Sequence, residues 1–370
     1  MRRDLKTVLP RVLFAGGGTG GHLFPGVAVA RALVARHRNA RIVFAGTGRG
    51  VEARILAEEG FGFESIRSAG LVGKSPKDIL RAMLLSPLTF IDAIRILCRS
   101  KPDLVIGLGG YSAGPIVLLG ALTGCPTMIL EQNTVPGATN RWLALFVRAA
   151  AVSYDSTASY FGRKAFVSGN PVREGFFAIP PEVLSKRPRV LVIGGSQGAH
   201  SINQAMMAAA PSLASVPGGI EVAHQTGELD FDTVRDAYQC AGLDARVEVF
   251  FDAMDKEMHA SDVVVCRAGA TTLAEVAAAG RPALIVPLSK ATHDHQCQNA
   301  TVTKVSGAAE VVNEDDIDNR FTECLVDLIT DGVRRKAMSK AAYRLAKPNA
   351  TAVVVERAEK LMGCQAVLSG

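Results

Sequence analysis

A short apolar run, Arg11–Ala15 (RVLFA), leads straight into the glycine-rich Gly16–Gly21 and then a helical stretch, Pro25–Arg36. The same succession begins again at Val190–Ile193 (VLVI), followed by Gly194–Gly198 and a helix from about Ser201. Strand, glycine turn and helix in that order build a parallel, doubly wound sheet, and a second start predicts a second folding unit of the same kind. Other short apolar runs extend each series: Arg41–Ala45, Leu104–Ile106, Thr127–Leu130 and Ala150–Ser153 in the first half, and Glu221–His224, Val247–Phe250, Val263–Cys266 and Ala283–Val286 in the second. Gly169–Arg173 and Pro180–Pro188 read as a linker between them. With 370 residues, 48% of them hydrophobic, the chain has apolar material for two cores. The expected class is α/β.

Several function classes are disfavoured. The seven cysteines are scattered with no C-x-x-C pair, which reads as buried apolar residues rather than a disulfide framework or zinc site. No secretory leader and no run of 18 uncharged apolar residues is visible. Charge is uneven: residues 1–173 carry 22 Lys and Arg against 10 Asp and Glu, whereas residues 174–370 carry 19 against 25. A basic first half suits a polyanion or an anionic membrane face, or is simply a solvated basic surface.

The glycine turns carry the chemistry. Glycine lets main-chain N–H groups approach an anion closely, and the helix that follows adds its positive end. Gly16, Gly18 and Gly21 spell a literal G-x-G-x-x-G, which raises a nicotinamide-dependent oxidoreductase. That reading needs an acid at the end of the second strand for the ribose hydroxyls. The strand ends Ala45-Gly-Thr-Gly48 and the nearest acid, Glu52, lies in the next helix, so the reading weakens. A third glycine turn, Gly107–Gly110, runs into Tyr111-Ser-Ala-Gly-Pro115. Three such turns over both halves suggest a cleft with phosphate approached from either side; tight packing alone is the plainer alternative for any one of them.

As a set, Gly16–Gly26 (GGGTGGHLFPG), Gly107–Pro115 (GLGGYSAGP), Glu131-Gln-Asn133, Gly194–Ala199 (GGSQGA), His224-Gln-Thr-Gly227 and Arg267–Leu288 resemble the MurG family, in that family's order and over nearly the whole chain. The resemblance implies a GT-B fold, two Rossmann-like domains with parallel sheets facing a central cleft. It implies a first, acceptor- and membrane-facing domain over residues 1–173, a UDP-sugar-binding domain over 174–347, and a final helix at about 348–370 returning to the first. The implied activity is an inverting transfer of GlcNAc from UDP-GlcNAc to the C4 hydroxyl of the muramoyl sugar in lipid I, a polyprenyl-diphosphate-linked muramoyl peptide. The product is lipid II for peptidoglycan synthesis. The expected location is peripheral, on the cytoplasmic face of the inner membrane, with no nucleic acid among its partners.

Transfer to a sugar hydroxyl needs a base, a donor site and something to stabilise the departing diphosphate. His22, at the mouth of the first glycine turn, is the candidate base, and the resemblance gives the matching histidine a catalytic part; a loop-ordering or diphosphate-binding histidine is the alternative. Glu131 is the rival base. Ser196 and Gln197 read as opening one helix and Ala270, Thr271 and Thr272, after Gly269, another, both offering N–H groups to phosphate. By resemblance Glu275 accepts the ribose hydroxyls, main chain near Phe251 reads the uracil, and Arg173 lines the site. Likewise Gln296 contacts the GlcNAc hydroxyls and Asn133 meets the donor sugar from the first domain. Thr19, Gly20 and Gly21 are also expected at the donor, and Gly18, His22, Gly109, Gly110, Tyr111 and Ser112 at the acceptor. Some relatives have two glutamines where this chain has His295-Gln296, a departure that a histidine's donor and acceptor capacity accommodates.

No metal and no cofactor are expected. His293-Asp-His295 is three neighbouring residues on a loop, which rarely bind a metal without remote ligands, and Asp230-Phe-Asp232 and Asp316-Ile-Asp318 read as helix-start acids rather than a nucleotide–metal clamp. Gly70–Ser100 mixes Leu84, Leu85, Leu88, Phe90 and Ile91 with Lys74, Lys77, Arg81, Arg95 and Arg99, a composition for an anionic membrane surface or for two amphipathic helices packed on the sheet. The competing functions are a related transferase with another lipid acceptor such as diacylglycerol, the nicotinamide enzyme, and a non-catalytic nucleotide-sugar binding protein.

Overall fold

The computed structural model describes residues 10–18, 20–48, 52–67, 76–177, 187–195, 197–289 and 295–364, without the side chains of 76–86. The chain divides into two compact units, Met1–Pro171 with Asn349–Gly370, and Val172–Pro348. Arg173 therefore belongs with the second unit rather than closing the first.

In the first unit the elements run β1 (Arg11–Gly16), α1 (Gly20–Arg36), β2 (Arg41–Gly46), α2 (Glu52–Glu58), β3 (Gly62–Ser65), α3 (Pro76–Ser100), β4 (Leu104–Gly109), α4 (Ala113–Leu122), β5 (Thr127–Glu131), α5 (Ala138–Leu143), β6 (Ala149–Val152), α6 (Asp155–Ala158) and β7 (Ala165–Val167). The sheet order is β3-β2-β1-β4-β5-β6-β7, with every pairing parallel. Both faces are covered, which is why β4 and β5 are buried along their whole length rather than alternating. Val12, Phe14, Val27, Leu33 and Ile106 fill one face, and Leu13, Ala15, Ala93, Ile116, Val117 and Leu143 the other.

The second unit runs β8 (Arg189–Ile193), α7 (His200–Ala214), β9 (Glu221–Gln225), α8 (Phe231–Ala241), β10 (Ala245–Glu248), α9 (Met254–Ala260), β11 (Val263–Cys266), α10 (Ala270–Ala278), β12 (Ala283–Ile285), α11 (His295–Val305), β13 (Ala309–Val311), α12 (Ile317–Thr330) and α13 (Gly332–Leu345). Its six strands are again all parallel, in the order β10-β9-β8-β11-β12-β13. The last helix, α14 (Ala350–Met362), rejoins the first unit. Its Val354, Val355 and Ala358 share a core with Val12 and Phe14, and Glu359 is hydrogen-bonded by Arg36 (3.1 Å) and His37 (2.9 Å).

The structure corrects several sequence expectations. Helix α1 starts at Gly20, before Pro25, because the glycines themselves enter the first turn. The strand expected at Val247–Phe250 lies at Ala245–Glu248, and the aromatic pair after it is loop. Short β3, β7 and β13 were not foreseen. Helix α7 begins at His200, so Gln197 lies in the turn before the helix rather than opening it. Among the described residues 76–100 there is one helix with Pro87 inside it, not two.

Candidate active site

Each sheet reverses its winding once, between β1 and β4 in the first unit and between β8 and β11 in the second. Crevices at the carboxyl ends of strands on either side of such a reversal are where open α/β sheets bind ligands. The residues singled out from sequence fall into two groups at these two places.

In the first unit the turns after β1 and β4 touch. Gly16 is in the left-handed region (φ 108°), and any side chain on it would overlap the carbonyl of Gly109. Gly109 (φ 103°) lies under His22: a methyl group there would sit 2.8 Å from Cδ2 and 3.1 Å from Nε2 of the imidazole. His22, half-buried in the first turn of α1, thus rests on the backbone of the β4 turn. Gly18 and Gly21 are exposed, Gly20 and Gly110 half-buried, and Tyr111 exposed, while Ser112 is buried at the N-cap of α4. Both glycine turns therefore deliver helix N-termini to one crevice. Thr19 lies outside the described residues.

Glu131 and Asn133 also meet at this edge, but Glu131 is fully engaged. Oε1 accepts from the N–H of Asn133 (3.0 Å) and from its Nδ2 (3.1 Å), and Oε2 accepts from the N–H of Gly137 (3.0 Å) and Nδ2 of Asn140 (2.9 Å). This buried carboxylate clamps the loop from β5 to α5. A base must reach a substrate proton, and four internal donors occupy this one.

Glu52 settles the dinucleotide question. From the start of α2 its carboxylate turns back beneath the first two turns, where Oε2 accepts from the N–H of Gly48 (2.9 Å) and a side chain on Gly17 or Gly46 would overlap Oε1. An acid does reach the end of β2, then, but it is 1% exposed and holds loops together rather than facing a ribose. Burial raises its pKa above the usual carboxylate value against the hydrogen bonds from Gly48, Gly18 and Thr47.

In the second unit, Gly269 caps α10 in an extended conformation, and Ala270, Thr271 and Thr272 form the first turn of that helix, Ala270 and Thr271 buried and Thr272 half-buried. Glu275 follows one turn in, almost fully buried. Burial pushes its carboxyl up to about 7, partly offset by Arg173, whose Nη2 lies 3.4 Å from Oε1. Arg173 is itself held over the Phe176 ring, 5.0 Å from its centroid. The turn after β8 exposes Gly195 and Gln197; Ser196 lies outside the described residues. Phe251, buried, follows β10, and its N–H donates to Oε1 of Gln225 (2.9 Å). Gln296, in the first turn of α11, accepts from the N–H of Leu288 (3.0 Å). His293 and Asp294 lie outside the described residues, and among the described ones no cluster of three His, Cys, Asp or Glu could hold a metal ion.

Two features of this edge escaped the sequence. Gln225, inside the His224–Gly227 motif, bonds main chain on both sides, a part that its residue type does not signal. Arg267, at the end of β11, reaches Ser201 (2.7 Å) and Glu314 (2.6 Å), and Glu314 also accepts from the N–H and hydroxyl of Ser289 (3.2 and 2.9 Å). Burial opposes ionisation of Glu314, yet the hydrogen bonds from Ser201, Arg267 and Ser289 hold its pKa at about 2. This ion pair ties the first turn of α7 to the segments that follow β11, β12 and β13; no local pattern around Glu314 announces it.

Comparison with known proteins agrees with this architecture. Residues 12–152 match the glycosyltransferase family 28 N-terminal domain, and residues 189–355 the family 28 C-terminal domain. A UDP-N-acetylglucosamine--N-acetylmuramyl-(pentapeptide) pyrophosphoryl-undecaprenol N-acetylglucosamine transferase of Anaeromyxobacter sp. (strain Fw109-5) is 41% identical over 356 residues, 95% of this chain and 93% of the relative. The enzyme of the same name from Myxococcus xanthus (strain DK1622) is 40% identical with the same coverage. The crystal structure of Acinetobacter baumannii MurG superposes with a TM-score of 0.74 at 30% identity, covering 95% of this chain and 99% of that one. The kitacinnamycin glycosyltransferase shares the fold at 16% identity, TM-score 0.71. With two Rossmann-like units, paired glycine turns and this degree of identity along its length, the chain belongs to the MurG family of glycosyltransferases, in glycosyltransferase family 28.

Proposed function

We propose that this protein transfers N-acetylglucosamine from UDP-GlcNAc to the C4 hydroxyl of the muramoyl sugar of lipid I, forming lipid II for peptidoglycan, with His22 as the base. The observation that carries the catalytic assignment is the imidazole of His22 resting on Gly109, at the reversal of the first sheet and between two helix N-termini. The hydroxyl oxygen attacks C1 of GlcNAc, the bond from C1 to the UDP oxygen breaks with inversion, and the imidazole takes the hydroxyl proton. Glu131, its oxygens spent on its own loop, holds Asn133 and Asn140 instead.

The second unit holds the donor in this reading. The N-termini of α7 and α10 supply N–H groups and dipole for the departing diphosphate, so no metal is needed to carry its charge. Ionised Glu275 accepts the ribose hydroxyls, Phe251 flanks the uracil, and Gln296 keeps its amide nitrogen for the GlcNAc hydroxyls. In the first unit Gly18, Gly109, Gly110, Tyr111 and Ser112 receive the lipid diphosphate.

The reading that the protein attaches peripherally to the inner membrane, on its cytoplasmic face, draws support from α3. No described helix is long and apolar enough to cross a bilayer. On α3, Leu88, Ile91 and Ile94 form an exposed stripe opposite the buried Ala93 and Ile96, with exposed Arg95, Arg99 and Lys101 beside it. Trp142 and Leu122 are also exposed, on α5 and α4, which pack on the same face of the sheet as α3. Apolar groups among cations suit an anionic leaflet, at about 1 kcal/mol per cation near the surface.

The test is UDP release from UDP-GlcNAc with a short-chain lipid I analogue, run beside diacylglycerol. Turnover with the first and none with the second is expected; the reverse would make the chain a transferase for another lipid.

A further inference from the structure

Gln225 closes β9 and is 2% exposed, and both ends of its amide are spent on main chain. Nε2 donates to the carbonyl of Gly195 (2.8 Å), in the turn after β8, and Oε1 accepts from the N–H of Phe251 (2.9 Å), after β10. Strand β9 lies between β8 and β10 in the sheet. One side chain therefore spans three adjacent strand ends and fixes the two outer loops relative to each other.

The frame around this amide is closely packed and hydrogen-bonded. The left-handed Gly198 and Gly227 interlock so closely that a side chain on Gly198 would overlap the Thr226 carbonyl, and one on Gly227 the Gln197 carbonyl. Thr226 donates its N–H to the Glu248 carbonyl (3.0 Å) and accepts from Nδ2 of Asn203 (3.0 Å). Asn203 is in turn held by the buried His224 (Nε2 to Oδ1, 3.0 Å), whose Nδ1 meets the Tyr238 hydroxyl (2.7 Å). Burial lowers the His224 pKa to about 3, so the ring is neutral. Asn203 Nδ2 serves as donor to Thr226 and Asp230, its Oδ1 accepts from Nε2–H, and Nδ1 accepts from Tyr238.

We propose that Gln225 is a positioning residue for the donor nucleotide, its amide setting the span between the turn that meets the diphosphate and the segment that meets the base. The inference rests on the reading that the second unit binds UDP-GlcNAc. It predicts coupling: a ligand that engages both loops loses more when Gln225 changes than a ligand that engages one.

Gln225→Glu separates the two ends. One carboxylate oxygen can still accept from Phe251, but the other replaces a donor with an acceptor facing the Gly195 carbonyl. UDP affinity by calorimetry at about pH 8 should fall about tenfold or more, the expected cost of a lost donor and a buried unpaired acceptor, while uridine affinity stays within about twofold. A protonated carboxyl donates again, so the defect relative to the unsubstituted protein should shrink toward about pH 6; the ratio removes the contribution of Glu275, common to both. Gln225→Met, of similar volume and without polar atoms, should weaken both ligands and remains the decisive variant if the buried carboxylate prevents folding. In each variant the KM for UDP-GlcNAc should rise with that for the lipid I analogue unchanged. Equal loss of UDP and uridine affinity in Gln225→Glu, unaltered UDP affinity in Gln225→Met, or a matching rise in acceptor KM would overturn the proposal. No UDP binding by the unsubstituted protein would instead overturn the donor reading beneath it.

Discussion

Nη2 of Arg173 lies 3.4 Å from Oε1 of Glu275, and the carboxyl is nonetheless pushed up to about 7 by its burial in α10. The folded chain thus holds a proton on Glu275 at pH values where the unfolded chain, with a value near 4.5, has lost it. Stability therefore drops as pH rises through that window, and the full cost of the buried charge is present above it. Binding runs the other way: two ribose hydroxyls need an acceptor, so UDP affinity should rise about tenfold from about pH 6 to about pH 8, following the ionised fraction. Glu275→Gln should bind more weakly, lose most of that slope, and melt at higher temperature than the unsubstituted protein at about pH 8. A slope retained in Glu275→Gln would assign it to another group.

His22→Ala should lower kcat by about 10²–10⁴-fold, the usual worth of a general base, with UDP affinity nearly unchanged. Gly109→Ala is the companion test, because the added methyl would press on the imidazole from 2.8 Å and force a left-handed backbone on alanine. It should reduce kcat while leaving the donor KM alone. Full turnover in His22→Ala would assign the base to another group.

Glu131→Gln tests the rival assignment through folding rather than rate. An amide has one acceptor oxygen, so its nitrogen must face two of the four donors from Asn133, Gly137 and Asn140. A stability loss of about 1–3 kcal/mol is expected in chemical denaturation, with a kcat reduction well short of that in His22→Ala. Unchanged stability with abolished turnover would reinstate Glu131 as the base.

Replacing Leu88, Ile91 and Ile94 together by serine removes the exposed stripe of α3 without touching its buried side. Co-sedimentation with vesicles rich in anionic lipid should fall several-fold, and turnover of a water-soluble acceptor analogue should persist. Undiminished vesicle binding would move the attachment elsewhere.

What the sequence made legible follows from where each signal resides. Strands β1, β4, β8 and β11 are apolar on both faces and end in glycine or meet one within three residues, a local pattern, and the His22 and Glu275 neighbourhoods lie beside it. Strands β3, β7 and β13 are short, lie at or beside sheet edges and are only partly buried, so their residues carry little contrast. Phe250 and Phe251 drew the expected β10 toward themselves because Phe251 is buried, but as a loop residue packed into a core of the second unit. The parts played by Glu52, Glu131 and Gln225 depend on side chains bonding main chain in loops brought near by the sheet. Residue type alone carries no record of those partners.

The return of α14 to the first unit has a consequence for biosynthesis. Val354, Val355 and Ala358 complete the hydrophobic layer over α1 that Val12 and Phe14 begin. During translation that layer stays open until the ribosome has passed the entire second unit, so the half made earliest is the last to be sealed. A nascent chain halted before Asn349 would present an uncovered apolar face to chaperones, however well its later half had folded.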